Sequence, residues 1–300
     1  MSSPEIYTID LNFQGTPGII GAYLIPHRRG AILVECGPGS TVQTLLKGLK
    51  SHGLGIADLT DVFLTHIHLD HAGAAGWLAN QGVCIHVHPN GAPHLLNPEK
   101  LIASAARIYG SLMQDLWDEL LPVPTERLAV IQDDQPVEVD NLQIRAINTP
   151  GHAEHHYAYL IDDICFSGDI GGVRLAGLNH LRLPMPPPEF HLEKWRESLE
   201  RLRQEQFNRI VPTHFGIFTD PEWHLAALAN ALDEVEKWME AVMPSNPPIE
   251  LLRQQFIDWT LERSLESGWD PSWHSLYEIA NPSFMSADGI LRYWSKYRNV

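Results

Sequence analysis

Residues 65–73 have the sequence Thr65-His66-Ile67-His68-Leu69-Asp70-His71-Ala72-Gly73, which places four side chains able to bind a metal ion within six positions. This spacing does not repeat as one face of a helix or strand, but it suits a tight loop that carries ligands. The apolar run Val62-Phe63-Leu64 before it predicts a buried strand, and the Ala/Gly-rich segment after Gly73 predicts the start of a helix. The histidines are therefore expected on a strand-to-helix turn, where α/β proteins often place their chemistry.

The composition is that of a globular enzyme. The chain has 300 residues, of which 44% are hydrophobic and 19% charged, and this is enough to bury a large core. Its formal net charge of −16 argues against nucleic-acid or anionic-membrane partners, because both need a basic surface. We therefore expect a small-molecule substrate as the partner.

The cysteines and the N-terminal segment indicate a cytoplasmic protein. Cys36, Cys84 and Cys165 are odd in number and irregularly spaced, so the sequence predicts neither a disulfide framework nor a cysteine zinc cage. The N-terminal segment has no basic stretch followed by an apolar core, and no uncharged apolar run reaches the length of a membrane span.

Three further strand ends in the second half of the chain carry a histidine or an aspartate beside glycine or proline. They are Thr149-Pro150-Gly151-His152, Ser167-Gly168-Asp169 and Pro212-Thr213-His214-Phe215-Gly216. One such residue would be an ordinary turn residue. Four strand ends that each present a metal ligand are an improbable coincidence, so we expect them to meet at one site.

Two other groups of polar residues are less decisive. Glu35 follows an apolar run and precedes the turn Cys36-Gly37-Pro38-Gly39, and it is either a solvated loop residue or a carboxylate that orients a ligating histidine. His86 and His88 alternate along the predicted strand Val83–Val87. We interpret both as structural, because no carboxylate is adjacent to them in the sequence.

The ordered motifs HxHxDH, Thr-Pro-Gly-His, Ser-Gly-Asp and Pro-Thr-His-Phe-Gly resemble those of the metallo-β-lactamase superfamily over residues 5–218. The resemblance implies an α/β fold, a four-layer αββα sandwich with a metal site at one edge. On this basis we assign residues 1–218 to a catalytic domain with a helical insertion at about 91–121. Residues 219–300 are assigned to a C-terminal helical extension, either a substrate cap or a homodimer surface.

The same resemblance implies a set of metal ligands. His66, His68 and His152 would hold one divalent ion, Asp70, His71 and His214 a second, and Asp169 would bridge the two. His155 and His156 do not match the ligand position, which is the first histidine after Pro-Gly.

The chemistry of these side chains agrees with a pair of divalent ions, zinc in the first place, with iron or manganese as the alternatives. A water between two such ions loses a proton near neutral pH, and the resulting hydroxide can attack a carbonyl. Asp70 is a candidate catalytic proton acceptor. The sequence therefore predicts a binuclear metallohydrolase.

The substrate is less defined. An aspartate at the position of Asp169 resembles the glyoxalase II and lactonase branch, which favours a small thioester, lactone or ester. Two alternatives remain at this stage: an iron-dependent oxygenase similar to persulfide dioxygenases, and a metal-binding module without turnover.

The loop after Asp169 is a candidate wall of the substrate pocket. This loop contains the proline-rich segment Pro184-Met185-Pro186-Pro187-Pro188, which is either a rigid connection or one wall of the pocket. Arg174 and His180 are its candidate substrate-facing side chains.

Overall fold

Two β-sheets form the centre of the fold in the computed structural model, which describes residues 4–175, 177–266, 270 and 272–298. The first sheet has six strands in the order of the chain: β1 (Tyr7–Asp10), β2 (Gly21–His27), β3 (Gly30–Val34), β4 (Leu59–Phe63), β5 (Cys84–Val87) and β6 (Leu128–Val130). Strands β1 to β3 are antiparallel, and β3 to β6 are parallel. The carboxyl ends of β3, β4 and β5 therefore lie at one edge.

The second sheet has five strands in the order β11-β10-β9-β8-β7. They are β7 (Pro136–Val139), β8 (Leu142–Asn148), β9 (Tyr157–Ile161), β10 (Ile164–Phe166) and β11 (Arg209–Val211). Strands β7 to β10 are antiparallel, and β10 and β11 are parallel. The sheet thus also directs the ends of β10 and β11 toward one edge.

Helices cover the outer faces of both sheets. They are α1 (Val42–Ser51), α2 (Leu69–Ala72), α3 (Ala75–Asn80), α4 (Ala92–Leu96), α5 (Glu99–Tyr109), α6 (Met113–Trp117), α7 (Leu192–Arg203), α8 (Pro221–Val242), α9 (Ile249–Glu266), α10 (Ser272–Ala280) and α11 (Ser283–Tyr293). Short 3-10 turns, among them Phe13–Gly15 and Gly168–Gly171, connect several elements.

The alternation of side chains along the strands produces four layers. In β3, Leu33 packs in a core shared with Leu45 and Leu49 of α1, whereas Ile32 and Val34 face the other sheet. The outer face of the second sheet packs against a third core that includes Trp195 of α7. The order is helix, sheet, sheet, helix, which confirms the predicted αββα sandwich followed by C-terminal helices.

The helical insertion and the C-terminal segment each contain several helices. The helical insertion at about 91–121 contains α4, α5 and α6, and Gly110, with φ 54° and ψ −125°, ends α5 before α6 begins. The proposed extension over residues 219–300 contains α8 to α11, and its residues 267–269, 271 and 299–300 lie outside the described ranges. Within those ranges, no helix has the length and apolarity needed to cross a membrane.

Candidate metal centre

The predicted metal-binding side chains lie together at the edge where the strands of both sheets end. His66 and His68 follow β4, and Asp70 and His71 lie on α2. The three remaining ligand candidates follow strands of the second sheet: His152 after β8, Asp169 after β10 and His214 after β11. The short apolar strands bury this edge, so that five of the seven residues are at most 3% exposed: His66, His71, His152, Asp169 and His214.

Three imidazole nitrogens form a compact triangle. His66 Nε2 lies 2.9 Å from His68 Nδ1, and His152 Nε2 lies 3.2 Å and 2.9 Å from those two atoms. Nitrogen ligands on a tetrahedral zinc ion are roughly 3.3 Å apart, given bond lengths of about 2.0–2.1 Å. The observed spacing is within a few tenths of an ångström of that value, so the triangle can hold one ion.

A second donor group lies beside the triangle. Asp70 Oδ2 is 3.5 Å from His71 Nε2 and 3.3 Å from His214 Nε2. The two carboxylate oxygens of Asp169 face different groups: Oδ1 is 3.3 Å from His71 Nε2, and Oδ2 is 3.3 Å from His152 Nε2. Asp169 therefore has the geometry that a bridging carboxylate needs.

The outer nitrogens of three of these histidines bind protein acceptors. His152 Nδ1 donates to Pro184 O at 2.7 Å, and His214 Nδ1 donates to Ile19 O at 2.8 Å. His71 Nδ1 lies 3.0 Å from Glu35 Oε1. A proton held on the outer nitrogen leaves the inner nitrogen with a free lone pair, which is the tautomer that a metal ligand requires.

Glu35 is fully buried and connects several parts of this edge. Besides His71, its carboxylate accepts hydrogen bonds from the hydroxyls of Thr65 and Thr213, the latter at 3.0 Å. Thr65 Oγ1 in turn lies 3.1 Å from His66 Nδ1. Of the two interpretations of Glu35, the solvated loop residue is wrong, and the contact that orients a histidine is present.

Two buried polar atoms at the centre of the cluster support metal binding. His71 Nε2 and Asp169 Oδ1 are buried without a hydrogen-bond partner. Such atoms are costly unless something satisfies them. Both point into the second donor group, and imidazole and carboxylate are ligands that suit divalent zinc, iron and manganese. The residues present therefore fit metal ions, whose number and identity stay predictions.

The protonation states of the triangle and of Asp70 suit metal binding. Burial lowers the pKa of His66 well below its ordinary value and that of His68 to about 4, so both rings are neutral near pH 7. Burial opposes ionisation of Asp70, but the charge of His71 and contacts with His214 hold the pKa of this carboxyl well below its usual range. Neutral imidazoles and ionised carboxylates are the forms that coordinate metals. Burial opposes protonation of His71 and His214, but Asp70 and Asp169 raise the pKa of both rings, so an ion in the second group would displace protons from them.

A cavity of about 430 Å³ opens onto the cluster. Its size is within the range of about 300–1,000 Å³ found for small-molecule sites. The walls of the cavity come from the loop before β2, the helical insertion, the proline-rich loop and the C-terminal helices. The lining side chains include Ile20, Leu101, Ala105, Ile108, Tyr109, Trp117, Pro186, Pro187, Ile279 and Met285. The proline-rich segment thus forms a wall, and α10 and α11 cover the site.

Arg174 and His180, the candidate substrate-facing side chains, lie outside this cavity. Arg174 is 4% exposed; its guanidinium forms a bidentate ion pair with Asp220, at 2.7 and 2.8 Å, and stacks over Phe218. His180 is buried with its ring edge-on to Tyr277 of α10. Both predictions are corrected, because these side chains join the loop to the C-terminal helices instead of facing a substrate.

The two histidines after His152 have different surroundings. His156 is held by the protein, with Nδ1 2.9 Å from Thr149 Oγ1 and Nε2 accepting from Ile170 N at 3.3 Å. His155 lines the cavity, and its Nε2 lies 3.4 Å from Glu189 Oε2. The sequence motifs did not identify His155 as a cavity residue, and its position close to His152 was the only local signal.

Comparison with known proteins assigns the chain to a protein superfamily. The model of the Metallo-beta-lactamase superfamily matches residues 15–214, which is two thirds of the chain. The protein belongs to this superfamily.

Individual relatives agree with this assignment. The Metallo-beta-lactamase fold-containing protein ST1585 of Sulfurisphaera tokodaii is 25% identical over 190 residues, covering 62% of this chain and 68% of the relative. The Atrochrysone carboxyl ACP thioesterase of Aspergillus fumigatus is 27% identical over 221 residues, covering 73% of this chain but only 42% of the relative. The structure of metallo-beta-lactamase family protein TTHA1429 from Thermus thermophilus superposes with a TM-score of 0.64 at 20% identity, covering 97% of this chain and 93% of that one.

Proposed function

We propose that the protein is a metal-dependent hydrolase that cleaves a thioester, lactone or ester bond in a small molecule. The observation that carries this proposal is the position of Asp169, whose two oxygens each lie 3.3 Å from a histidine of a different donor group. Two divalent ions bound there would lower the pKa of coordinated water and polarise a carbonyl oxygen. The remaining roles belong to side chains of this protein.

Asp70 has the exposure expected of a proton acceptor. Its side chain is 23% exposed and lines the cavity, whereas the side chain of Asp169 is 5% exposed. One Asp70 oxygen faces His71 and His214, and contacts with these rings favour the ionised form. A carboxylate in this state at the cavity floor can take a proton from the attacking water and pass it to the leaving group.

The cavity supports a substrate with a bulky apolar part. Aromatic and aliphatic side chains of the helical insertion, among them Leu101, Ile108 and Tyr109, line the cavity together with Met285 of α11. Apolar walls bind an acyl or aromatic group and keep bulk water from the reacting carbonyl. The name of the Aspergillus fumigatus relative, an acyl-carrier-protein thioesterase, supports a thioester more than a lactone.

The proposal is tested by metal analysis together with a substrate panel. The metal centre should bind two divalent ions, and the purified protein should hydrolyse members of a panel of thioesters, lactones and esters, with no oxygen uptake. A single iron per chain with oxygen uptake on glutathione persulfide would instead identify a sulfur oxygenase. Two bound ions without turnover on the full panel would leave a metal-binding module.

Asp169→Ala tests the bridging role directly. We expect the variant to lose ions from both donor groups and at least about 10²-fold in kcat/KM, because metal ions supply several kcal/mol of transition-state stabilisation. The matched control is Asp258→Ala, which removes a carboxylate on α9, far from the metal centre in the sequence. Retention of both ions by the Asp169 variant would contradict the bridging role.

A further inference from the structure

A second group of side chains that can bind a metal ion lies on strands β4 and β5. This group is outside the cavity that opens onto the metal centre. The parallel register pairs Asp61 with Cys84 and Phe63 with His86. Because alternate residues of a strand face the same side, Asp61, Cys84 and His86 share one face of the sheet. One donor atom of each lies within 4.8 Å of the donor atoms of the other two.

The donor types indicate a particular class of ion. A thiolate, an imidazole and a carboxylate together favour a borderline or soft divalent ion such as Zn²⁺ over Mg²⁺ or Ca²⁺. Ligand atoms on a tetrahedral zinc ion are roughly 3.4–3.6 Å apart for such a set. Asp61 Oδ1 and His86 Nε2 are 2.7 Å apart, so only a small separation of these two side chains is needed.

The burial of the group fits a site that an ion can reach. His86 is 7% exposed, its ring stacks on Phe63 with centroids 4.2 Å apart, and its Nδ1 is buried without a hydrogen-bond partner. Cys84 is partly exposed, whereas Cys36 and Cys165 are buried. Cys84 is therefore the thiol that an ion from solvent meets first, and it lies next to the imidazole of His86.

We propose that Asp61, Cys84 and His86 form an additional zinc-type site, with water completing the coordination. The bound ion would join β4 to β5 on the strand that leads into the His66–His71 turn. The site does not depend on the proposed hydrolase activity, since none of its residues lines the cavity.

Co²⁺ is the probe for this site, because a thiolate ligand gives Co²⁺ an intense near-ultraviolet charge-transfer band that nitrogen and oxygen ligands lack. The seven predicted ligands of the metal centre contain no sulfur, so the band reports on a thiolate elsewhere. The full chain, reduced and freed of metal, should develop this band on titration with Co²⁺ and lose it on addition of Zn²⁺.

Variants assign the band to its ligands. Cys84→Ser should abolish the band and lower the bound metal by one ion per chain, whereas Cys165→Ser, the matched control, should retain both. Asp61→Asn should keep the band, but a higher concentration of Co²⁺ should be needed for the band to develop fully. Circular dichroism of the metal-free variants checks folding. The absence of a band in the parent protein, or its persistence in Cys84→Ser, would overturn the proposal.

Discussion

Replacement of Glu35 by glutamine should weaken one metal-binding step selectively. The Glu35 carboxylate is fully buried and accepts from His71 Nδ1 at 3.0 Å and from the hydroxyls of Thr65 and Thr213. All three contacts are to Oε1, whereas Oε2 accepts from Thr65 N at 3.4 Å. A carboxamide of the same shape carries no charge, and with its oxygen at the Oε1 position its NH₂ group faces the backbone N–H of Thr65. The neutral carboxamide oxygen is a weaker acceptor than a carboxylate, so we expect it to hold the His71 ring and its tautomer less firmly.

The expected loss of metal affinity follows from the weaker contact between residue 35 and His71. Removing a partner of this kind costs about 10- to 100-fold in metal affinity, or about 1.4–2.7 kcal/mol. We expect this loss in the group formed by Asp70, His71 and His214, because Glu35 contacts His71 directly. The triangle of His66, His68 and His152 should change less, since Glu35 reaches it only through Thr65.

The assay is a competitive Zn²⁺ titration against a chromophoric chelator that resolves the two binding steps. Thr213→Val is the matched control, because it removes one neutral donor to the same carboxylate and keeps the contact with His71. The same titration in a His214→Ala background, where the second group is already incomplete, should show little further effect of Glu35→Gln. An equal loss in both backgrounds would refute selective positioning of His71.

Three further outcomes are expected from burial and packing. The ring of His224 is buried and its pKa is lowered to about 4, so at this residue only the unfolded state takes up a proton near pH 6.5. His224 alone should therefore lower stability by about 2 kcal/mol between about pH 7 and pH 5, and urea titrations should show a fall smaller by about this amount in His224→Gln. Gly289→Ala places a Cβ 1.9 Å from Met185 O and should cost about 1–3 kcal/mol of unfolding free energy, while Gly55→Ala, with its nearest atom at 3.8 Å, should change little. Ala105→Phe should fill part of the cavity and lower kcat/KM about tenfold or more for bulky acyl thioesters, but less for an acetyl thioester. Equal losses of kcat/KM on both substrates would contradict binding of the acyl group in this cavity.

The sequence predicted the parts of the fold that depend on local patterns. The strand ends predicted before His152, Asp169 and His214 are present, since β8, β10 and β11 end within a few residues of them. The polar residues at the strand ends predicted the site, because parallel strands that share a sheet bring their carboxyl ends together.

Contacts between distant parts of the chain could not be predicted in this way. Arg174 was placed near the substrate because its partner, Asp220, is 46 residues away and nothing local links the two. His86 was considered to lack a carboxylate, but the pairing of β4 with β5 brings Asp61 to 2.7 Å. Strand register and side-chain partners of this kind depend on the whole fold.

The cavity wall formed by α10 and α11 has a consequence for how the protein matures during synthesis. The last predicted ligand, His214, precedes Glu278 of that wall by 64 positions, the difference between 278 and 214. A nascent chain therefore completes both donor groups well before the segment that covers them emerges from the ribosome. Ion uptake is expected to occur while the edge is still open, and closure of the cavity to follow it.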